Sequence, residues 1–381
     1  MKPFYILYLL ICCLLPAGAY AGSENARFEV EEARTSSGYS PETKFLELRR
    51  QYQLALDQKE VPQQAALLKE MGTLCFHLGH YAQAMEYYLN ARKLLEAGGD
   101  QALLAALYNE LGTLYYYNKN TDKVKPSHDK ALQLYTRSQD VRGIAGTYGA
   151  LGHFYEKQQQ YDSAFYYQRR ALQQYRMVAD AAGVADIYEH LGSIHEDLGR
   201  YDSALHYFNF ALEQSRTLSP GLQIIKIYNN LGDVYRKTGQ YGPALDHTRK
   251  ALEIALSLNE PYEISSAYRD LSRAYNLMGR NDSAFHYAEI ARTALLQVYS
   301  MENSRQMSFF QTMYEVEKKN TTIGRLEQKR SMNRIIAVTA CIMLVLLMIL
   351  IFFILSRQKL RRKASQAHAE QERRVLEARS R

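Results

Sequence analysis

Between residues 65 and 300 the large apolar and aromatic positions return with a single period of 40 residues. The dipeptides Met71-Gly72, Leu111-Gly112, Leu151-Gly152, Leu191-Gly192, Leu231-Gly232 and Leu271-Ser272 mark it. Three residues before each dipeptide stand Leu68, Tyr108, Tyr148, Tyr188, Tyr228 and Tyr268, and four after its first member come Cys75, Tyr115, Tyr155, His195, Tyr235 and Tyr275. Positions i−3, i and i+4 share one face of an α-helix, so each unit opens with a helix carrying a bulky stripe. Further along, small residues recur at Ala84, Val124, Ala164, Ala204, Ala244 and Ala284, and seven later at Ala91, Ala131, Ala171, Ala211, Ala251 and Ala291. That spacing puts them on one face of a second helix, where a small side chain lets its neighbour approach closely. Gly79, Gly199, Gly239 and Gly279 fall where the first helix should end, and Asp162, Asp202 and Asp282 fit the N-terminus of the second. The pattern predicts six helical hairpins that cannot bury their apolar faces alone and do so by stacking.

Other patterns flank the repeats. Residues 41–64 are predicted to cap the first hairpin with one amphipathic helix, and residues 22–40, with Ser23, Ser36, Ser37 and Gly38, read as a linker. At the start, Lys2 precedes an apolar run from Phe4 to Leu15, then Pro16 and the small-x-small Ala19-Tyr20-Ala21, which predicts an export signal over residues 1–21 cleaved after Ala21. Cys12 and Cys13 lie inside that run behind Ile11, which argues against a lipid-acceptor cysteine. After residue 300 a polar juxtamembrane helix is predicted over 301–333, broken or weakened at Asn320, Thr321, Thr322 and Gly324. Then come 21 residues, Ile335 to Leu355, without a charge. At about 1.5 Å per residue they cross a hydrocarbon layer of about 30 Å. A transmembrane helix is therefore assigned to 334–356 and a basic tail to 357–381.

At the Leu-Gly, tyrosine and alanine positions the chain resembles the tetratricopeptide repeat, reproduced six times across 65–300. It departs from the commonest form in its period, 40 rather than 34 residues, and in repeat two, where Val124 and His128 replace alanine and an aromatic. The resemblance implies an all-α, right-handed superhelical solenoid of six hairpins, here followed by one transmembrane helix. The segment from Phe310 to Lys319, a short spacer and the apolar run together look like a group of Gram-negative envelope signalling proteins. In those, exported repeats precede one span, and members commonly continue into a helix-turn-helix regulator or a histidine kinase. The likeness covers sensor, linker and span; the 26 residues after Leu355 hold no such output module.

The net charge of +7 does not belong to the repeats, because residues 22–333 hold 36 Lys and Arg against 37 Asp and Glu, while 357–381 hold nine against three. The excess is a juxtamembrane basic cluster suited to an anionic leaflet, not a nucleic-acid surface. With the export signal, it places the repeats in the periplasm of a bacterial inner membrane and the C-terminus in the cytoplasm. Cys75 is the one cysteine between the signal and the span, so no disulfide forms within the repeats. No phosphate loop, nucleophile elbow or cysteine cluster is present, so neither a cofactor nor catalysis is expected. Glu189-His190 and His195-Glu196-Asp197 invite a zinc reading, but the two histidines are not i, i+4, and His195 occupies the aromatic packing position.

The stripe beside the packing stripe of each first helix lines the concave groove in tetratricopeptide proteins. By that resemblance the binding residues are Asn109, Thr113, Tyr116, His153, Glu189, Ser193, Asn229, Asp233, Arg236, Arg269, Arg273 and Asn276. Amides at Asn109 and Asn229 could donate to and accept from an extended peptide at once. The same stripe reads equally as an ordinary solvated face. Acidic residues gather in repeats three and four and basic ones in five and six, which would orient a ligand of mixed charge. The expected function is a non-catalytic, membrane-anchored receptor or adaptor for a protein or peptide, with a homodimer through the juxtamembrane helix. A static envelope scaffold and a regulator or kinase lacking its output domain are the alternatives.

Overall fold

The computed structural model describes residues 40–216 and 221–379, with side chains to residue 369. The expected export signal, and the linker up to residue 39, lie outside the described residues. Thirteen α-helices and no strand are found among the described residues. Helix α1 (Pro41–Asp57) precedes six hairpins: α2 (Val61–His77) with α3 (Tyr81–Glu96), α4 (Gln101–Tyr117) with α5 (Thr121–Ser138), and α6 (Val141–Lys157) with α7 (Tyr161–Met177). Then come α8 (Ala181–Asp197) with α9 (Tyr201–Ser215), α10 (Leu222–Lys237) with α11 (Tyr241–Ser257), and α12 (Pro261–Leu277) with the long α13 (Asn281–Arg379). The fold is a TPR-like solenoid. Helix α2 begins at Val61 rather than 65, with Pro62 in its first turn, where a missing N–H costs nothing.

Each hairpin turns at one left-handed residue. Gly79, Lys119, Gln159, Gly199, Gly239 and Gly279 have φ between 57° and 77°, so Lys119 and Gln159 take the conformation without glycine. The next residue's N–H reaches back five positions, as from His80 to the Cys75 carbonyl at 2.8 Å and from Gln160 to Tyr155 at 2.9 Å, which satisfies the orphan carbonyls. Asp162, Asp202 and Asp282 sit in the first turn of their helices. The side-chain caps are elsewhere: Asp100, Asp140 and Asp180, also 40 apart, accept N–H groups at the starts of α4, α6 and α8.

The two helices of a hairpin meet where the glycine of the 40-residue dipeptide faces the residue 16 positions on. Tyr88, His128, Gln168, Phe208 and Thr248 lie where a Cβ on Gly72, Gly112, Gly152, Gly192 or Gly232 would fall, at 2.5–2.7 Å. In the sixth hairpin Ser272 replaces glycine and its Oγ donates to the Ala284 carbonyl at 2.8 Å. Aromatic rings fill the remaining space: Tyr155 on Tyr167, His195 on Tyr207, Tyr235 on His247 and Tyr275 on Tyr287 stack with centroids 5.1–5.4 Å apart. Of Tyr148, Tyr188 and Tyr228, Tyr188 is the one buried outright, at 8% exposure, and the other two are half-buried. Cys75 is free and wholly buried, and burial pushes its thiol up to about 12.

The segments expected as separate elements at 301–333, 334–356 and 357–381 are, as far as Arg379, parts of one helix, α13, which is also the second helix of the sixth hairpin. The predicted break at Asn320–Gly324 does not occur. Thr321 and Thr322 turn their hydroxyls back onto the Lys318 carbonyl at 2.9 and 2.8 Å, which accommodates them in a helix interior. The run 335–355 is exposed at every position, and α13 is the one helix among the described residues long and apolar enough to cross a membrane.

Candidate functional site

The first helices of neighbouring hairpins lie side by side, so a residue on one faces residues 37 to 41 positions on in the next. Polar side chains join them at those spacings. Glu110 accepts from Thr73 and Tyr88, both at 2.5 Å, and pairs with Lys69. Asn109 Nδ2 donates to Thr147 Oγ1 at 2.7 Å, and its Oδ1 accepts from His128 Nδ1 at 2.9 Å. Ser193 donates to Glu156 at 3.0 Å. Glu189 receives Lys226 at 2.7 Å and Asn230 at 2.5 Å, and Glu196 receives Lys237 at 2.6 Å. Glu156 and Glu189 are only 2% exposed. Buried carboxylates need such donors, and these couple each hairpin to the next.

Asn109 therefore spends both ends of its amide inside the protein, and Thr113 bonds back to the Asn109 carbonyl at 3.2 Å. Tyr116 packs edge-on against Tyr117, His153 and Phe154. His153 lies 5.5 Å from the His190 ring, and burial followed by the neighbouring His190 holds it well below the ordinary histidine value. Burial would lower His190 too, but its bond to Asp186 and the Glu189 charge outweigh that and raise it. Asp186, Glu189 and His190 bring their ligand atoms within 4.8 Å of one another. The Lys226 ammonium sits on Glu189 in that cluster, a position a metal ion would have to take from it. His195 is a packing residue, stacked on Tyr207 at 5.1 Å.

The groove changes character between α10 and α12. A cavity there is lined by Lys226, Asn229, Asp233, Tyr262, Arg269 and Arg273, among others, and so joins four of the residues read from the sequence. Asn229 donates to Glu263 at 3.2 Å, while its Oδ1 is enclosed without a partner. Asp233 is claimed by Arg236 and by Lys237 at 2.9 Å; burial would raise its pKa, but these bonds win and lower it. Arg269 and Arg273 share Asp270 at 3.8 and 3.1 Å, yet both stay exposed. Burial raises Asp270 and Glu263. Asn276 is exposed at the end of the same helix. The opposed charges read from the sequence thus meet directly: Lys226 and Lys237 of repeat five are paired with Glu189 and Glu196 of repeat four, Arg269 and Arg273 with Asp270 of their own helix, and all four cations keep an exposed side. The spacings 37 and 41 could have shown this in the sequence, had the stripe been read across repeats rather than along one helix.

The profile of the tetratricopeptide repeat family matches residues 143–217 and 223–297. Among curated protein sequences nothing matches the chain. Solved structures share its fold. Aspartyl phosphate phosphatase F from Bacillus subtilis is 14% identical with a TM-score of 0.54, over 70% of this chain and 73% of its own. The Rap conjugation gene regulator of plasmid pLS20, solved with the Phr* peptide, is 17% identical with a TM-score of 0.50, over 64% and 77%. A signal transduction ATPase from Pyrococcus horikoshii with a tetratricopeptide repeat sensor is 18% identical with a TM-score of 0.53, over 68% of this chain and 42% of its own. At these identities the likeness is one of fold. The chain is a TPR-like solenoid whose third to sixth hairpins match the tetratricopeptide repeat, a fold that typically serves as a non-catalytic scaffold for protein interaction.

Proposed function

We propose that the protein is a non-catalytic receptor or adaptor that takes a protein or peptide segment with an acidic stretch into the groove between α10 and α12. The observation that carries this is the cavity itself: two exposed arginines line it together with an asparagine whose side-chain carbonyl has no partner in the protein. Arginine forks recognise carboxylates and the amide suits a peptide backbone. The pLS20 regulator, a solenoid of the same fold solved with a peptide, supports such a role. The uncharged run 335–355 then anchors the chain in a membrane, repeats on the exported side and basic tail in the cytoplasm. The exposed apolar residues Phe310, Tyr314, Ile323 and Leu326 of α13 suit a second copy of the chain.

The test is to identify a ligand by pull-down from envelope extract and measure its affinity for the parent, Asn229→Ala and Arg269→Glu with Arg273→Glu. Weaker binding in both variants, with the charge reversal losing its effect as salt rises, is expected. Equal affinities would move the partner to another face. A reporter active only outside the cytoplasm, fused after Arg381, should be silent; activity would reverse the topology.

A further inference from the structure

Repeat solenoids make contacts between neighbours, yet here the last helix touches the first hairpin. Phe309 on α13 is 0% exposed, in a segment where nearly every other side chain faces solvent. Its ring meets Phe45 of α1 edge-on at 5.2 Å and stacks on His80, in the loop between α2 and α3, at 5.3 Å. Met313 brings its sulfur to 4.0 Å from Cys75 Sγ, and Val316 joins the same cluster. Phe309, Met313 and Val316 are i, i+4 and i+7, one stripe of one helix. The ring lies against a partly buried histidine whose Nε2 is enclosed without a partner and whose pKa burial lowers.

We infer that the face made by Phe45, Cys75 and His80 is a binding site for an amphipathic helix, occupied in this structure by the chain's own residues 306–316, and that the occupant can leave while the repeats stay folded. The contact is narrow. Phe309 is the one fully buried side chain that α13 brings to it, and Phe310, one residue on, is already 48% exposed. The six hairpins bury their own stripes without it, so its release uncovers one apolar site and breaks no repeat-to-repeat bond. Phe309 also lies 26 residues before Ile335 on an unbroken helix, about 39 Å of rise. Docking at the first hairpin therefore ties both ends of the repeat array to the helix that carries the apolar run, and release frees that helix to move as a lever. The site holds whether or not a groove ligand exists.

Two measurements on the full-length chain in detergent test this. In the first, Met313→Cys is made with Cys12, Cys13 and Cys341 changed to serine and the wholly buried Cys75 kept, and its labelling by a maleimide is timed. Labelling should be slow, and at least tenfold faster after Phe309→Ala, with helical content and melting of the repeats unchanged; His80→Ala, which removes the stacking partner instead, should act in the same direction. In the second, a fluorescent peptide of residues 302–319 should bind the Phe309→Ala protein at least tenfold more tightly than the parent, whose site is filled. Labelling of the parent as fast as at an exposed Tyr314→Cys, labelling that rises only with global unfolding, or a peptide that binds neither protein or both alike would overturn the inference.

Discussion

Gly192 offers a sharp test of how the hairpins are packed. A Cβ at that position would lie 2.5 Å from Phe208 Cε1, 2.6 Å from Cδ1 and 3.0 Å from Cζ, against a ring with no exposed surface. Ordinary carbon contacts are about 3.5–4.0 Å, so α8 and α9 must separate by about 1 Å or the ring must leave its rotamer. Overpacking of this kind costs about 1–3 kcal/mol, and the upper end applies where the obstacle is an enclosed ring. Alanine returns about 1 kcal/mol of helix propensity. The net expectation for Gly192→Ala is a loss of about 2 kcal/mol. Phe208→Ala alone should cost about 3–5 kcal/mol, and because the new methyl then fills part of the vacated space, the double variant should be more stable than the sum predicts by about 0.5–3 kcal/mol. Gly242 is the control: nothing lies within 4 Å of its Cβ position, so Gly242→Ala should be neutral or slightly stabilising. Urea unfolding followed by circular dichroism measures all four. If Gly192→Ala behaves like Gly242→Ala, the two helices do not approach as closely as described.

Three further outcomes are expected. His128 is 2% exposed and burial holds it at about 4 against an ordinary 6.5, so between those values the unfolded chain binds the extra proton; stability is complete above about pH 6.5 and falls by about 3 kcal/mol towards pH 4. His128→Gln, the residue that repeat three places in the same position as Gln168, should flatten that acid limb in a pH series of unfolding curves. Asn109→Ala strips a donor from the buried Thr147 and an acceptor from His128, and should cost about 1–3 kcal/mol by urea unfolding, which an exposed groove residue would not. Gln159→Gly removes the strain of a left-handed residue at φ 57° and should stabilise by about 0.5–1 kcal/mol after allowing for the freer unfolded chain, whereas Gly199→Ala should destabilise.

Much of this architecture is legible in the residues themselves, because it is local and repeated. The stripe Tyr188, Leu191 and His195, the alanines Ala204 and Ala211 and the turn at Gly199 each follow from spacing within one helix or one turn, and six copies reinforce the reading. An uncharged run of 21 residues likewise declares its own solvent preference. Tertiary structure decided how those units use their polar groups. Asn109 and Asn229 look alike along the chain, yet the first is consumed by Thr147 and His128 while the second keeps an unpartnered oxygen beside the cavity at Arg269 and Arg273. Glu189 and Lys226 read as charges of two separate patches until stacking sets them 2.7 Å apart. The contact of Phe309 with Phe45 and His80 spans more than two hundred residues and leaves no periodic trace, because it depends on the accumulated rotation of six stacked hairpins rather than on any one of them. Local periodicity determines which face of a helix seeks cover; the path of the whole array determines what covers it.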